Sequence, residues 1–268
     1  MKSTLKATSL MAGIVLLTAP LLAADGILIV EKTTKGGTTT TSQIQIEKNR
    51  MRAEMTGPTG RTQIVVFDGA AQVMRMIDGE NKTYTEITKA DVDKLGAQMS
   101  GMMAQMQEQM KNMPPEQRAQ MEAIMKGRGA GMGAPAAPKT EYKKTGTDMV
   151  GKWTCDKYEG FQNNQKVAEV CTVEPTALGF TLADFDVTKQ MVAFFQKLVP
   201  QNADQVFAIG NAEAQGFSGV PVRRITSFGP QQTVVELSEM SRKPFADSLF
   251  AVPEGFKKQE GFGRGRGR

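Results

Sequence analysis

The residues of this chain with the clearest capacity for chemistry contain sulfur. Nine of its 18 methionines lie between Met99 and Met132, and its two cysteines are Cys155 and Cys171. Thioethers are soft ligands for copper(I), and two thiols form a disulfide or a redox couple. The chain contains no histidine, which excludes Ser-His-Asp and Cys-His catalysis and any histidine-ligated zinc, haem or iron. We therefore expect a protein that is not an enzyme and that needs no cofactor.

Six of the methionines share one face of a predicted helix. At about 100° per residue they fall within an arc of about 100°, with Glu108 and Lys111 on the opposite side. The six are Met99, Met102, Met103, Met106, Met110 and Met113. We refer to them as the methionine face.

Three interpretations of the methionine face are open. The first is ordinary core packing, because methionine fills irregular gaps. The second is an adaptable apolar surface that contacts a ligand or a partner. The third is a copper(I) site at Met99, Met102, Met103 and Met106, because this spacing lets thioethers converge on one ion.

The beginning of the chain has the pattern of a secretory signal peptide. Lys2 and Lys6 precede an apolar run of about 13 residues that contains Pro20, and small residues follow, which predicts cleavage between Ala24 and Asp25. A membrane-spanning helix needs roughly 20 apolar residues, so the run is too short for an anchor. We expect a periplasmic protein of a Gram-negative envelope, with no transmembrane segment after the leader is removed.

Export favours a disulfide between Cys155 and Cys171, because thiols pair in an oxidising compartment. The intervening sequence indicates two strands joined by a polar turn at Gln162 to Gln165, so the bond would staple a hairpin. Closing such a loop contributes on the order of 3 kcal/mol. The alternative, a redox pair, lacks the close C-x-x-C spacing.

Turn signals recur about every ten residues from Gly26 to Ile87 and indicate an antiparallel meander. The predicted strands are Ile27–Thr34, Thr41–Met55, Arg61–Phe67, Gln72–Ile77 and Lys82–Ile87, followed after the helical region by strands within Thr140–Val173, Gly219–Phe228 and Thr233–Arg242. An amphipathic helix with Thr181 or Asp184 as its cap ends at Pro200. These elements predict the α+β class.

Residues 25–258 are expected to form a single domain that contains a helical insert and a flexible linker. Residues 89–126 predict a methionine-rich helical hairpin broken at Pro114-Pro115, and residues 127–139 a flexible Gly/Ala/Pro linker. Residues 259–268 predict a disordered Gly/Arg tail with Arg264, Arg266 and Arg268.

The net charge of +5 belongs largely to the two ends of the chain. Two positive charges leave with the leader and three are Arg264, Arg266 and Arg268, so the rest of the chain is formally neutral and no nucleic-acid partner is expected. Weak attraction of the tail to an anionic membrane surface is expected instead.

A set of short motifs carries a resemblance to a known family. They are NRMRAEM, VVFDG, RMIDGENKTYTEI, a cysteine-bearing hairpin, a helix near Phe194-Phe195 and a closing SLFAVPEGFKKQ. The set resembles bacterial domain-of-unknown-function family 4412, which is related to the LolA-like carriers of outer-membrane lipoproteins. The resemblance implies a strongly curved antiparallel half-barrel with helices across its concave side. Arg50 and Arg52 are positional candidates for the arginine that latches the lid of the carriers.

The function expected from these features is non-enzymatic binding of a hydrophobic ligand, such as a lipid or acyl chain, or of an envelope protein. Burial of acyl methylenes needs no catalytic group, since each contributes about 0.8 kcal/mol. A periplasmic copper(I)-binding protein and an envelope scaffold without a small ligand are the alternatives.

Overall fold

The computed structural model describes residues 26–57, 59–111, 114, 116–117, 140–198, 216–227 and 231–259. Within these ranges twelve strands form one sheet. They are β1 (Gly26–Lys35), β2 (Thr38–Ile46), β3 (Arg50–Thr56), β4 (Thr62–Asp68), β5 (Val73–Asp78), β6 (Thr83–Thr88), β7 (Glu141–Val150), β8 (Trp153–Gln162), β9 (Gln165–Val173), β10 (Val220–Thr226), β11 (Thr233–Lys243) and β12 (Lys257–Gln259).

The sheet is mostly antiparallel, curved and unclosed. Its strand order is β12-β6-β5-β4-β3-β2-β1-β11-β10-β9-β8-β7, and only the β12–β6 pair is parallel. Four ladders contain a register shift, for example between Val30 and Glu31 and between Gly160 and Phe161. Because a bulge bends its strand and increases the local twist, these shifts favour a curved sheet. The arrangement fits the half-barrel that the resemblance implies.

Two α-helices accompany the sheet within the described ranges: α1 (Lys89–Lys111) and α2 (Asp186–Leu198). Short 3₁₀ turns at Pro175–Leu178, Leu182–Phe185 and Asp247–Phe250 connect the larger elements. The first helix of the predicted methionine-rich hairpin is therefore present. The predicted second helix is described only at residues 116–117. The linker over 127–139, the leader over 1–24 and residues 260–268 of the tail lie outside the described residues.

One predicted strand, Thr41–Met55, is wrong. The chain turns at Glu47 to Asn49, where the N–H of Glu47 donates to the carbonyl of Arg50 over 2.8 Å, and β2 and β3 pair on either side of the turn. The turn has neither glycine nor proline, so the usual signals of a chain reversal are missing.

Successive residues of a strand are buried on opposite faces of the sheet. Val65 and Phe67 of β4 belong to a main buried cluster that also contains residues of α1 and α2, so both helices pack on this side of the sheet. We refer to it as the concave side, because the resemblance implies helices across the concave side of a half-barrel. Val66, between them, belongs to a second cluster with Ile77 and Phe250 on the outer side. The residues that follow β11 cover this outer side, and their partly buried members are Phe245, Leu249, Val252 and Phe256.

Candidate functional site

Helix α2 fills the concave side of the sheet with its apolar face. Val187, Met191 and Phe194 recur at the spacing of a single helical face and are almost completely buried. The ring of Phe194 lies 5.5 Å from the ring of Phe67 on β4, measured between centroids. Phe185, just before the helix, has no exposed surface. This part of the concave side is therefore occupied by the protein's own side chains.

Three buried methionines line this packed layer. Met51 on β3, Met74 on β5 and Met191 on α2 each keep 1% of their surface exposed and belong to the main cluster. Methionine has three rotatable bonds and a polarisable sulfur, so such a layer can repack more easily than one of branched side chains. The strand methionines were not among the predicted site residues, although their alternation with polar neighbours in NRMRAEM and RMID indicated that they face the core.

The start of α2 is fixed by a cluster of polar bonds around Asp184. Its carboxylate accepts hydrogen bonds from the backbone N–H of Thr181 over 2.6 Å and from the Thr181 hydroxyl over 2.9 Å. The two predicted capping residues, Thr181 and Asp184, therefore act together at the 3₁₀ turn. Helix α2 itself begins at Asp186, two residues after Asp184.

Arg242, on β11, ties this turn to the sheet. Its guanidinium donates to both carboxylate oxygens of Asp184, over 3.1 and 3.3 Å, and lies 5.0 Å from the ring centroid of Phe180. Partial burial alone would raise the pKa of Asp184, but the bonds from Thr181 and Arg242 outweigh burial and lower the pKa below its usual value. Sequence reasoning missed Arg242 because its partners lie 58 or more residues away along the chain.

The first turns of helix α1 pack on the rest of the protein. Thr88 and Asp91 form a reciprocal cap, in which the Asp91 carboxylate accepts from the Thr88 N–H over 2.9 Å and the Asp91 N–H donates to the Thr88 hydroxyl over 3.2 Å. Val92 is buried in the main cluster. From Ala97 to Lys111, every described side chain is exposed except that of Met110, which is half-buried.

Met102, Met106 and Met110 of the methionine face lie on this part of α1. Met102 and Met106 are 49% and 36% exposed, so these two side chains are not core residues. Met99 and Met103 belong to α1, but their side chains, like residue 113, lie outside the described part. The structure thus places an accessible pair of thioethers one helical turn apart.

The two cysteines are joined in a disulfide, and both are buried in the main cluster. Their Cα atoms are 5.4 Å apart on β8 and β9. The hairpin between them turns at Asn163 and Asn164, which both have positive φ. The predicted hairpin turn is confirmed.

The two positional candidates for a lid-latching arginine lie on other contacts. Arg50 donates to Glu47 and Asp247 and lies 4.4 Å from the ring centroid of Phe250, so it holds the segment that covers the outer side. Arg52 donates to Gln45 and Glu54, its neighbours on β2 and β3. Neither contact involves α1 or α2.

A family described as a domain of unknown function (DUF4412) matches residues 88–256, and the chain belongs to this family. No curated protein matches the chain. Among the described residues, no helix is long and apolar enough to cross a membrane.

Three solved structures share low sequence identity with the chain. They are an uncharacterised conserved protein from Thermus thermophilus (7% identity, 88% of this chain and 91% of that chain covered, TM-score 0.44), LprF from Mycobacterium bovis (12%, 86% and 89%, 0.28) and a DUF1329 family protein from Desulfovibrio piger (9%, 86% and 91%, 0.18).

Proposed function

We propose that this chain is an exported, non-enzymatic protein of the periplasm that binds a hydrophobic ligand, such as a lipid or acyl chain, between its helices and the concave side of its sheet. The observation that supports the proposal best is the buried layer of Met51, Met74 and Met191 beneath the helices of an unclosed sheet. The resemblance to lipoprotein carriers supports the same function.

A ligand has to enter this layer by displacing side chains, because α2 already fills part of it. An acyl chain of about ten methylenes gains roughly 8 kcal/mol on burial, which is enough to offset the repacking of a few flexible methionines. We expect entry beside α1 to break fewer contacts than entry beside α2, because Val92 is the fully buried side chain among the described ones of α1, whereas α2 buries Val187, Met191 and Phe194. In this proposal the methionine face of α1 acts as the adaptable lid or contact surface.

Uptake of a fluorescent fatty acid by protein purified without detergent tests this function. Ala53 lies in the main cluster and Val66 in the outer cluster, so Ala53→Leu adds volume to the proposed binding layer and Val66→Phe adds volume to the opposite side. Both changes cost about 1–3 kcal/mol of stability by overpacking. We expect only Ala53→Leu to weaken uptake. Equal uptake by both variants, or none by the unaltered protein, would refute the proposal.

Native mass spectrometry of the same preparation identifies a cargo directly. Protein from a bacterial periplasm should carry an extra mass of a few hundred daltons or more, lost on extraction with organic solvent. Bare protein in every preparation would favour the scaffold alternative.

Copper(I) binding is the second candidate, because Met102 and Met106 are accessible and one turn apart. Replacing Met99, Met102, Met103 and Met106 by leucine preserves the apolar volume but removes the thioethers. Loss of copper(I) affinity in this variant, with fatty-acid uptake retained, would establish the copper alternative.

A further inference from the structure

We propose that the ligand of this protein is an amphiphile with a zwitterionic phosphoethanolamine headgroup, and that Glu31 and Arg224 bind this headgroup at the polar end of the concave side. Arg224 binds the phosphate and Glu31 binds the ammonium group. The inference rests on the proposed function, because the acyl chain of the same ligand occupies the buried layer beneath the helices.

Three successive rows of side chains on β1 and β2 face the concave side. The rows are the cross-strand pairs Ile27–Ile46, Ile29–Ile44 and Glu31–Ser42. The pairing of β1 with β2 has no register shift, so alternation along the strands keeps all three rows on the same face of the sheet. The pairing continues to β3 and β4, where the third row contains Met55 and Gln63.

The polarity of these rows changes along the strands. The first two rows are apolar and belong to the main cluster, and Ile27 and Ile29 are each 1% exposed. The third row contains Glu31, and its Met55 and Gln63 are exposed. The first and third rows lie about 13 Å apart, since four strand residues separate them. An acyl chain that lies along the first two rows therefore brings its headgroup to the third.

Arg224 on β10 faces the same side of the sheet as Glu31. Arg224 pairs with Val235, and Val235 pairs with Thr33, which shares its face with Glu31. The Nη2 atom of Arg224 lies 3.2 Å from a carboxylate oxygen of Glu31, and the two side chains are 28% and 13% exposed. Leu237, directly opposite Glu31, belongs to the main cluster. A partly buried ion pair therefore lies beside the apolar layer.

This ion pair favours a headgroup that carries both charges. A simple anion would have to displace Glu31 from Arg224 and leave a carboxylate without its partner in partly buried surroundings, which is costly. A phosphoethanolamine group between the two side chains provides a partner for each. The guanidinium donates to the phosphate, for which arginine has a suitable geometry, and the carboxylate accepts from the ammonium group. An uncharged headgroup forms neither of these ion pairs.

Displacement of the fluorescent fatty acid by three lipids with the same acyl chain tests the proposal. The lipids are lysophosphatidylethanolamine, the anionic lysophosphatidylglycerol and an uncharged monoacylglycerol, each below its micellar concentration. We expect lysophosphatidylethanolamine to act at a concentration about tenfold lower than either of the others, as one additional charge-assisted hydrogen bond would give. Equal displacement by all three lipids, or stronger displacement by lysophosphatidylglycerol, would overturn the proposal without the need for any variant.

Two variants assign the preference to its residues. Glu31→Gln should remove the preference over lysophosphatidylglycerol, because the repulsion of the anion and the bond to the ammonium group are both lost. Arg224→Gln should remove the preference over the monoacylglycerol, because the bond to the phosphate is lost. The ratio of two displacement concentrations measured on one variant is independent of the affinity of the probe for that variant. Preferences that survive in both variants would show that these residues do not bind the headgroup.

Glu86→Gln is the matched control. Glu86 pairs with Arg75 over 2.9 Å, and the two side chains are 20% and 27% exposed, so the pair resembles that of Glu31. It lies on the outer side, because Arg75 is opposite Val66 of the outer cluster. The control should keep both preferences of the unaltered protein. If it loses them as Glu31→Gln does, the effect of Glu31 is not local and the proposed site is wrong.

The same assay distinguishes failure of this inference from failure of the proposed function. Uptake of the fatty acid without a preference among the three lipids would leave the acyl layer in place and refute the headgroup site. No uptake of any of them would refute both. Free phosphoethanolamine, which lacks an acyl chain, should not displace the probe at the concentrations at which lysophosphatidylethanolamine does. Displacement by the free compound at those concentrations would show that the site binds a soluble phosphate ester and would overturn the assignment to a lipid.

Discussion

Replacing Arg242 by alanine should loosen the start of α2 and lower the free energy of unfolding by about 1–2 kcal/mol. The contact of its guanidinium with Phe180 is worth about 0.5–1 kcal/mol at a partly exposed site. The contact of its Nη2 atom with both carboxylate oxygens of Asp184 adds about 0.5–1 kcal/mol, discounted because Arg242 is 41% exposed. The two contributions together give the expected loss.

A double-mutant cycle isolates the ion pair. Arg242→Ala, Asp184→Asn and the double variant are unfolded in urea, and unfolding is followed by the fluorescence of Trp153, the single tryptophan of the chain. Trp153 packs against the main cluster, so its emission reports on the core. We expect a coupling of about 0.5–1 kcal/mol at pH 7.

The pH dependence of this coupling follows from the lowered pKa of Asp184. The pKa of Asp184 is lower in the folded state than in the unfolded chain, where it is about 3.9. Such a carboxyl stabilises the fold at every pH above the unfolded pKa. The stabilisation is lost as the pH falls through the pKa of the folded state. The coupling should therefore be constant from pH 7 to about pH 5 and disappear at more acidic pH. A coupling near zero at pH 7, or one that persists after the carboxyl is protonated, would refute the role assigned to Arg242.

Three other contacts should each contribute measurably to stability. Arg50→Ala should lower stability by about 1–3 kcal/mol and speed hydrogen exchange around Phe250, because Arg50 bonds to and stacks on the segment that covers the outer side. Reduction of the Cys155–Cys171 disulfide should cost about 3 kcal/mol in urea unfolding. Gly160→Ala should cost about 1–3 kcal/mol, because an added Cβ would lie 2.7 Å from the Tyr142 ring.

The Arg50 and Gly160 measurements each have a control elsewhere in the protein. Arg61 forms an exposed ion pair with Glu80, so Arg61→Ala should change stability by less than about 1 kcal/mol. Gly101 lies on α1 with open space around it, so Gly101→Ala should stabilise the helix by about 1 kcal/mol. If Gly160→Ala behaves like Gly101→Ala, the close approach of Tyr142 is not a real constraint.

The sheet was predictable from the sequence because its strands carry local signals. Alternation and paired turn residues defined most strand positions of the meander, and the asparagines of the β8–β9 hairpin adopt the positive φ that such a turn needs. The turn between β2 and β3 was not predictable in the same way. It consists of Glu47, Lys48 and Asn49, of which only Asn49 is a typical turn residue.

The environment of the candidate site was less predictable, because it depends on contacts between distant parts of the chain. Arg242 meets Asp184 across 58 residues, and Arg50 meets Asp247 across 197. Helical spacing correctly placed Met102 and Met106 on one face of α1, but spacing cannot tell whether that face is buried. That depends on what packs beside the helix, and the structure leaves these two side chains exposed.

The packing of the two helices indicates which of them has to move for a ligand to enter. Moving α2 would expose Val187, Met191 and Phe194 to water and break the bonds of Asp184, at a cost of about 1.5–3 kcal/mol for each apolar side chain. Moving the part of α1 beyond Gly96 exposes little that is not already exposed. If the chain binds a ligand as proposed, we expect α1 to open and α2 to stay in place. Hydrogen exchange should then show opening along α1 on ligand binding while α2 remains protected, and the reverse pattern would place the entry route beside α2.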